Sequence, residues 1–426
     1  MIKLVSKSEK PLKGTVTIPS DKSISHRAVI FSALADGIST VNNFSKGADP
    51  LSSLEIIKSL GVQAEFKDET TLVINSSGKL TKPSKILDCG NSGTTMRFMS
   101  GILAGQNFNS TLTGDESLSK RPMKRVIEPL TLMGAKINSQ DGHAPLEITG
   151  SPLFGIEYSS KLASAQVKSC VLLAGLFADG LTRFEEPYLS RNHTEIMLKH
   201  MGADIQISGL KTSIKRSSLK PSIIDVCGDI SSAAFFIAAA LIVPDSDIIL
   251  KNVGLNPTRT GIIDVIKLMG GNIEILDSYV RSGEMAGDIR IKYSNLKGCT
   301  IEKALIPRLI DELPIIAVIA AQAEGETVVK NAEDLRNKES DRIKAIVQEL
   351  SKLGAIIKET PDGFIVFGKT NLTGGASVEC HHDHRLAMSL YVAGLVCETP
   401  ISINSFEWVN ISFPEFETLF NELSEF

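Results

Sequence analysis

The sequence predicts an α/β protein of two similar domains, each made of three copies of one repeating unit with small apolar helices inside. Two recurrences along the chain carry this prediction. One is a glycine between an apolar helical stretch and an alternating strand; the other is a polar loop that opens a helix of small apolar residues. Length is the third observation, because 426 residues are enough for two domains with separate cores.

The first recurrence places five glycines at intervals of roughly 70 residues. A glycine that ends a helix adopts a positive φ without steric cost, and the residues after each one alternate as in a half-buried strand. The five are Gly61, Gly134, Gly202, Gly270 and Gly354.

The second recurrence gives six helices, at 22–35, 91–104, 164–178, 229–241, 311–323 and 383–396. Their small side chains favour close packing, so we place them inside and the more charged helices, such as 51–60 and 340–353, outside. The sixth copy stops before its last strand, and we expect the unclaimed strand at 13–18 to supply it. One domain then spans residues 20–226 and the other combines 1–19 with 227–426. The chain then crosses twice between the two domains, and a hinge at these crossings suits closure around a ligand.

Composition limits the classes of partner. The net charge of −4 and the pI near 6.1 provide no basic field for nucleic acid. The N-terminus lacks a signal-peptide core, and apolar runs such as 233–243 are too short to span a membrane. The six cysteines form no CxxC pair, as is typical of a reducing compartment. We therefore expect a cytoplasmic protein that binds neither nucleic acid nor membrane.

Residues 19–27 predict an anion site at the start of the first inner helix. A helix start presents unpaired N–H groups and partial positive charge. Here Lys22 and Arg27 add two cations, and Ser23 adds a hydroxyl donor. A phosphate fits such a site, although a capped helix with solvated cations is the alternative.

Other helix starts carry related signals. Residues 88–97 contain Gly90 and Gly93 with several hydroxyls, which form either an anion-binding nest or an ordinary tight turn. Arg121 precedes a helix and is either a bidentate anion ligand or a solvated side chain. The third start, 163–168, offers hydroxyl and amide groups, and Arg191 follows on a loop.

The second half of the chain supplies carboxylates. Asp311 stands before an apolar helix, where an aspartate is also a normal cap. Residues 336–342 contain five charged groups, which form either a salt-bridged surface or a tuned acid at Glu339 beside Lys338. The run at 381–385 suggests a metal, but adjacent residues at a helix start cannot all point one way, so Arg385 fits better as an anion ligand.

These residues carry a family resemblance. The segments at 19–27, 90–94, 118–123, 164–169, 338–342 and 383–388 resemble the signatures of 5-enolpyruvylshikimate-3-phosphate synthases, in the family's order and across nearly the whole chain. The resemblance implies two domains, each of three βαβαββ units with the helices inside, which form an inside-out α/β barrel. It also implies an active site in the interdomain cleft.

The resemblance implies transfer of the enolpyruvyl group of phosphoenolpyruvate to the 5-hydroxyl of shikimate 3-phosphate, with release of phosphate, in aromatic amino-acid biosynthesis. Protonation of the methylene makes C2 electrophilic, the deprotonated hydroxyl attacks, and a tetrahedral intermediate loses phosphate. Two polyanions side by side require several cations together with acid and base groups. No metal or organic cofactor is implied, and we expect a monomer.

The resemblance also implies residue roles. The ligands of shikimate 3-phosphate are Lys22, Ser23, Arg27, Ser164, the Ala165 backbone, Gln166, Arg191, Asp311 and Lys338. Those of phosphoenolpyruvate are Lys22, the Gly93 backbone, Arg121, Gln166, Arg342 and Arg385. Asp311 takes the hydroxyl proton, Glu339 serves the methylene, and Lys22 assists at the bridging oxygen.

One position departs from the family pattern, and two rival functions remain. Ile411 replaces a lysine that many members carry two residues before Phe-Pro, which places the sequence nearer the second bacterial class. The related transferase that acts on UDP-N-acetylglucosamine has a reactive cysteine in its mobile loop, and the loop at 115–123 has none. An RNA 3'-phosphate cyclase-like module is disfavoured by the negative charge and by the low aromatic content of 5%.

Overall fold

The structure is a computed structural model that describes residues 1–424. These residues form two compact units. Unit A contains Ser20–Cys227 and Val280–Glu284, and unit B contains Met1–Pro19, Gly228–Tyr279 and the residues from Met285 onward.

Most strands are short. In chain order they are β1 (Lys3–Val5), β2 (Lys13–Thr17), β3 (Asp36–Asn42), β4 (Gln63–Phe66), β5 (Leu72–Ser77), β6 (Leu87–Asp88), β7 (Asn109–Thr113), β8 (Lys136–Gln140), β9 (His143–Thr149), β10 (Glu157–Ser159), β11 (Leu181–Glu185), β12 (Ile205–Ser208), β13 (Lys211–Lys215), β14 (Ile223–Asp225), β15 (Asp247–Gly254), β16 (Asn272–Arg281), β17 (Glu284–Lys292), β18 (Thr300–Ile301), β19 (Gly325–Val329), β20 (Ile356–Thr360), β21 (Gly363–Gly368), β22 (Ser377–Glu379) and β23 (Ile401–Asn404).

The helices alternate with these strands. They are α1 (Lys22–Ala33), α2 (Ala48–Ser59), α3 (Gly93–Ala104), α4 (Glu116–Ser119), α5 (Lys124–Leu132), α6 (Ala165–Gly175), α7 (His193–His200), α8 (Ile230–Ile242), α9 (Gly261–Leu268), α10 (Ile306–Leu309), α11 (Leu313–Gln322), α12 (Arg342–Lys352), α13 (His384–Gly394) and α14 (Phe416–Ser424).

Unit A repeats one sheet plan three times within residues 20–227. Its sheets have the strand orders β14-β3-β5-β4, β6-β7-β9-β8 and β10-β11-β13-β12. In each sheet the first strand is a parallel edge strand and the other pairs are antiparallel. The repeat that the sequence predicts is therefore a repeat of whole sheets with their helices.

The sheets of unit B show that one strand prediction was wrong. Their orders are β16-β17-β15-β2, β18-β19-β21-β20 and β1-β23-β22. The strand at 13–18 was expected to complete the sixth copy, but β2 pairs with β15 of the fourth copy, and β1 fills the sixth. Strand direction explains the difference. β2 runs parallel to β15, like the parallel edge strands of unit A, whereas the position that is missing in the sixth copy needs a strand antiparallel to β23, which β1 supplies.

The unit boundaries also differ from the sequence-based ones, at residue 227 and at 280–284. The turn between β16 and β17 belongs to unit A because its side chains bond there. Ser282 Oγ accepts the Asp225 N–H at 2.9 Å, and Glu284 Oε1 lies 2.7 Å from His193 Nδ1. Hydrogen bonds between residues so far apart in the sequence cannot be predicted from its hydrophobic pattern.

The six inner helices are buried over most of their lengths. In unit A they are α1, α3 and α6, and in unit B they are α8, α11 and α13. Packing is closest between α3 and α6, where a Cβ on Gly101 would lie 2.3 Å from the Cys170 carbonyl oxygen. Small residues therefore set the distance between these two helices, as the sequence predicts.

The helix ends follow the predicted chemistry. Asp21, Ser92, Ser164, Asp229 and Asp383 each accept a backbone N–H at the start of an inner helix. The five recurring glycines adopt φ values from 79° to 96°, which confirms their prediction as helix-ending residues. In residues 1–424, no helix combines the length and the apolar character that a membrane span requires.

Candidate active site

The first cluster lies at the start of α1 in unit A. Asp21 caps the helix through Oδ1, 2.7 Å from the Ile24 nitrogen, and so places Lys22 and Ser23 in its first turn. Lys22 Nζ lies 3.0 Å from Asp49 Oδ2, and about a quarter of the Lys22 side chain is exposed. Lys22 therefore presents an ammonium group that is paired with a carboxylate and is still partly accessible.

Arg27, one turn further along α1, is 3% exposed. Its Nε donates to Thr194 Oγ1 at 2.7 Å, and its Nη1 donates to the Ser23 carbonyl at 2.8 Å. The guanidinium carbon lies 4.8 Å from the centre of the Phe98 ring. Burial lowers the pKa of Arg27 to about 10, although Glu195 acts in the opposite direction, so the side chain stays charged at neutral pH.

A second group surrounds the first turn of α3. Ser92 caps this helix, and Gly93 is its first residue. A Cβ on Gly93 would lie 2.6 Å from Arg97 Nη1 and 3.6 Å from Arg121 Nη1. Two guanidinium groups therefore lie so close to this backbone that only glycine fits, and two cations beside a helix start are a suitable arrangement for an anion.

Gln166 joins this group from α6. Its Oε1 accepts from Arg97 Nη1 at 2.5 Å, and its Nε2 donates to Thr94 Oγ1 at 3.0 Å. Arg97 is not among the site residues predicted from the sequence, although it stands four residues after Gly93, at the spacing that brings helical neighbours onto one face. Arg121 Nη2 donates to Asn91 Oδ1 at 2.7 Å.

The remaining predicted residues of unit A lie at the starts of α6 and α7. Ser164 caps α6, with its Oγ 3.5 Å from the Val167 nitrogen, and Ala165 is the first helical residue. Arg191 is partly buried on the loop before α7. All three lie at, or two residues before, the start of a helix of unit A.

A buried hydrogen-bond chain connects α1, α2 and α3 of unit A. His26 Nδ1 lies 2.8 Å from Ser53 Oγ, which lies 2.8 Å from Thr95 Oγ1, and Thr95 donates in turn to Ser92 Oγ at 2.7 Å. Burial lowers the pKa of His26 to about 3. The imidazole is therefore neutral at pH 7 and fixes α1, α2 and α3 relative to one another.

In unit B, the second cluster forms around Arg342, the first residue of α12. Its Nη1 donates to Asp311 Oδ1 at 3.1 Å, its Nη2 to Glu339 Oε2 at 2.6 Å, and its Nε to Asp383 Oδ2 at 2.7 Å. Burial by itself lowers the pKa of Arg342, but the three carboxylates raise it above the ordinary value. One buried cation thus fixes both of the acids that the resemblance assigns to proton transfer.

Two more cations stand beside Asp311. Lys338 Nζ lies 3.6 Å from Asp311 Oδ1 and is about a quarter exposed. Arg385 Nη1 lies 3.3 Å from the Asp311 carbonyl oxygen and 3.8 Å from Glu312 Oε1. The structure therefore brings all five predicted residues of this unit, including Arg342 and Glu339, into one cluster.

These contacts bear on two alternatives left open by the sequence, the cap at Asp311 and the surface pairing of the segment 336–342. Asp311 lies in a 3-10 turn and does not cap α11. In the segment 336–342, Arg336 pairs with Asp341 and Glu359 as a surface residue does, whereas Arg342 is buried. His381 Nε2 lies 2.9 Å from Glu349 Oε1. Across the described chain, no three metal-ligating side chains are grouped to hold an ion.

The departure from the family pattern, Ile411, ends a 3-10 helix at Phe406–Ile411 and is partly buried. Its side chain offers no hydrogen bond or charge to an anion.

Comparisons with known proteins support the family resemblance that the sequence motifs carry. The sequence model of a family described as EPSP synthase (3-phosphoshikimate 1-carboxyvinyltransferase) matches residues 6–420. A 3-phosphoshikimate 1-carboxyvinyltransferase from Thermoanaerobacter sp. (strain X514) is 52% identical over 419 residues, which cover 98% of this chain and 99% of that protein. The protein of the same name from Bacillus subtilis (strain 168) is 51% identical over 419 residues, which cover 97% and 98%.

Solved structures show the same fold. EPSP synthase from Acinetobacter baumannii superposes with a TM-score of 0.89 at 43% identity and covers 99% of this chain and 98% of its own. The enolpyruvyl transferase NikO from Streptomyces tendae superposes with a TM-score of 0.80 at 18% identity, with coverage of 99% and 97%. At that lower identity the likeness concerns the fold alone, which is the two-domain enolpyruvyl transferase fold that the sequence predicts.

Proposed function

The chain belongs to the EPSP synthase family, and from this membership and the two clusters we propose how its residues carry out the family's reaction. The protein is a 3-phosphoshikimate 1-carboxyvinyltransferase. It transfers the enolpyruvyl group of phosphoenolpyruvate to the 5-hydroxyl of shikimate 3-phosphate and releases phosphate.

The acceptor, shikimate 3-phosphate, is bound mainly by the helix starts of unit A. Its proposed ligands there are Lys22, Ser23, Arg27, Ser164, the Ala165 backbone, Gln166 and Arg191. Supporting evidence comes from the mixture of groups, because cations suit the phosphate and amides and hydroxyls suit the ring hydroxyls. Since Arg27 is 3% exposed and donates to protein oxygens, it reaches the ligand only at its edge and also orders Ser23.

The donor, phosphoenolpyruvate, is bound by the Gly93 backbone together with Lys22, Arg121 and Gln166. Supporting evidence is the close approach of the Arg97 and Arg121 guanidinium groups to the Gly93 backbone at the start of α3. From unit B, Arg342 and Arg385 complete the proposed donor ligands. For this contact Arg342 exchanges one of its three carboxylate partners for the substrate.

Proton transfer is assigned to Asp311 and Glu339. Asp311 accepts the proton of the acceptor hydroxyl, and Glu339 delivers a proton to the methylene of phosphoenolpyruvate and removes one when phosphate leaves. Lys22 assists at the bridging oxygen, and Lys338 binds the acceptor beside Asp311. The observation that carries this assignment is the shared partner: both carboxylates bond to the guanidinium of Arg342.

The presence of cationic side chains in both units also supports the proposal. Both substrates are anionic, so a reaction that joins them has to offset their repulsion. Unit A offers Lys22 and Arg121 for this purpose, and unit B offers Lys338 and Arg385. We therefore propose that the two clusters act on one pair of substrates, in a monomeric cytoplasmic enzyme.

A phosphate-release assay tests the function. The purified protein is incubated with phosphoenolpyruvate and one acceptor: shikimate 3-phosphate, UDP-N-acetylglucosamine or an RNA with a 3'-phosphate. The expected result is release of one phosphate per enolpyruvyl group transferred, with shikimate 3-phosphate alone. Release with UDP-N-acetylglucosamine and none with shikimate 3-phosphate would overturn the assignment. The Asp311→Asn variant serves as the matched control, since it keeps the size of the side chain and removes the base.

A further inference from the structure

Lys168 is a buried cation to which the proposed mechanism gives no role. It lies on α6, two residues after Gln166, and its side chain is 1% exposed. A lysine is almost never fully buried unless it is paired, so its burial has to be offset by specific contacts.

Three acceptors meet the ammonium group of Lys168. Nζ lies 2.7 Å from Glu195 Oε1, 2.8 Å from Glu186 Oε1 and 3.3 Å from the Ser190 carbonyl oxygen. A lysine has three N–H donors, so each donor has one partner. Glu186 follows β11, and Glu195 lies in the first turn of α7. Lys168 therefore ties α6 to both ends of the segment 186–195.

The segment that Lys168 holds carries residues of the proposed acceptor site. Ser190 directly precedes Arg191, and Glu195 directly follows Thr194. Thr194 Oγ1 accepts the Nε–H of Arg27 at 2.7 Å and lies 2.6 Å from Ser169 Oγ. The tripod of contacts around Lys168 is thus one residue away from Arg191 on one side and from the partner of Arg27 on the other.

Charge makes this arrangement dependent on Lys168. Glu186 and Glu195 are both buried, and within residues 1–424 the Oε2 atom of each has no hydrogen-bond partner. Without Lys168, two buried carboxylates would lose their shared cation, and at least one would have to move toward water. Glu195 also attracts Arg27, so its movement would reach the acceptor site directly.

We propose that Lys168 is a positioning residue for shikimate 3-phosphate. It holds Glu186 and Glu195, and thereby sets the places of Arg191 and Thr194 and, through Thr194, of Arg27. This inference rests on the proposed function, because these residues matter only if unit A binds the acceptor. Lys168 does not touch the substrate itself.

The test compares Lys168→Met with Leu173→Ala. The first variant removes the ammonium and keeps most of the stem; the second removes buried apolar volume from the same helix without touching the tripod. We measure Tm, kcat, and the KM of each substrate in the phosphate-release assay, together with binding of shikimate 3-phosphate by titration.

For Lys168→Met we expect the KM and Kd of shikimate 3-phosphate to rise about tenfold or more, since small displacements of binding groups have large effects. The KM of phosphoenolpyruvate should rise much less. Leu173→Ala should lower Tm and leave both KM values near those of the wild type. An unchanged acceptor KM in Lys168→Met, or equal losses for both substrates, would overturn the inference.

Two further measurements keep the outcome decisive. If Lys168→Met does not fold, Glu186→Gln, which keeps the cation and the ion pair with Glu195, is measured instead. A rise in the acceptor KM alone supports the positioning role, and an unchanged acceptor KM overturns it. If the wild type itself neither binds nor converts shikimate 3-phosphate, the proposed function fails, which is a result distinct from failure of the Lys168 inference.

Discussion

Replacement of Gly93 by alanine is a small change that tests the geometry at the start of α3. The added Cβ would lie 2.6 Å from Arg97 Nη1, well inside van der Waals contact, and 3.6 Å from Arg121 Nη1. The group that has to move is the far end of a flexible side chain, so the backbone of α3 can stay in place. We therefore expect a local change in the donor site and not a change in the fold.

The magnitude follows from the hydrogen bond that is disturbed. Arg97 Nη1 donates to Gln166 Oε1 at 2.5 Å, and a hydrogen bond to a charged group contributes about 1.5–3 kcal/mol. Because Gln166 is a proposed ligand of phosphoenolpyruvate, we expect its displacement to weaken the affinity for this substrate by up to roughly ten- to hundredfold. Alanine favours a helix over glycine by up to about 1 kcal/mol, which offsets only part of the lost hydrogen bond, so the free energy of unfolding should fall by about 2 kcal/mol or less.

The assay measures the KM of both substrates together with chemical unfolding. Gly93→Ala should raise the KM of phosphoenolpyruvate more than that of shikimate 3-phosphate, because Gly93 is itself a proposed donor ligand whereas Gln166 is one of nine proposed acceptor ligands. Arg97→Lys, which keeps the charge and removes the planar fork, should reproduce part of this effect. An unchanged donor KM, or equal weakening of both substrates, would refute the geometric reasoning.

The remaining predictions concern a donor ligand and a buried histidine. Arg385→Ala should mainly weaken phosphoenolpyruvate binding, and a titration in which only shikimate 3-phosphate weakens would contradict this role. His26 has a pKa of about 3 in the folded protein, against 6.5 in the unfolded chain, so below pH 6.5 the unfolded chain binds a proton that the folded protein excludes. Folding stability should therefore fall by up to about 1.4 kcal/mol per pH unit, or about 2 kcal/mol at pH 5. In urea unfolding, His26→Gln should lack this contribution, and equal pH slopes for variant and wild type would disprove it.

The repeat and its helix starts could be predicted from the sequence because they depend on local chemistry. Residues such as Asp21 and Ser92 cap helices, and glycines such as Gly61 end them, for reasons that act within a few positions. The motif segments then indicated which helix starts carry function. The inner helices accordingly begin within two residues of their predicted starts.

Contacts between distant parts of the chain could not be predicted in this way. The exchange of roles between β1 and β2 depends on strand direction, which a hydrophobic pattern does not encode. Arg97 and Lys168 read as ordinary helical residues until α3, α6 and α7 are packed together. Arg342 looked like one of five charges in a polar segment, and only its three partners reveal that it is the centre of a cluster.

Deuterium transfer tests the central assignment, that Glu339 is the acid and base at the methylene carbon. Wild type and Glu339→Gln are each incubated with both substrates in D₂O, and the deuterium content of the product's methylene group is measured by mass spectrometry. The wild type should introduce deuterium during turnover, and the variant should lose about a hundredfold or more in both turnover and deuterium incorporation. Near-normal turnover with wild-type deuterium content in Glu339→Gln would contradict the account.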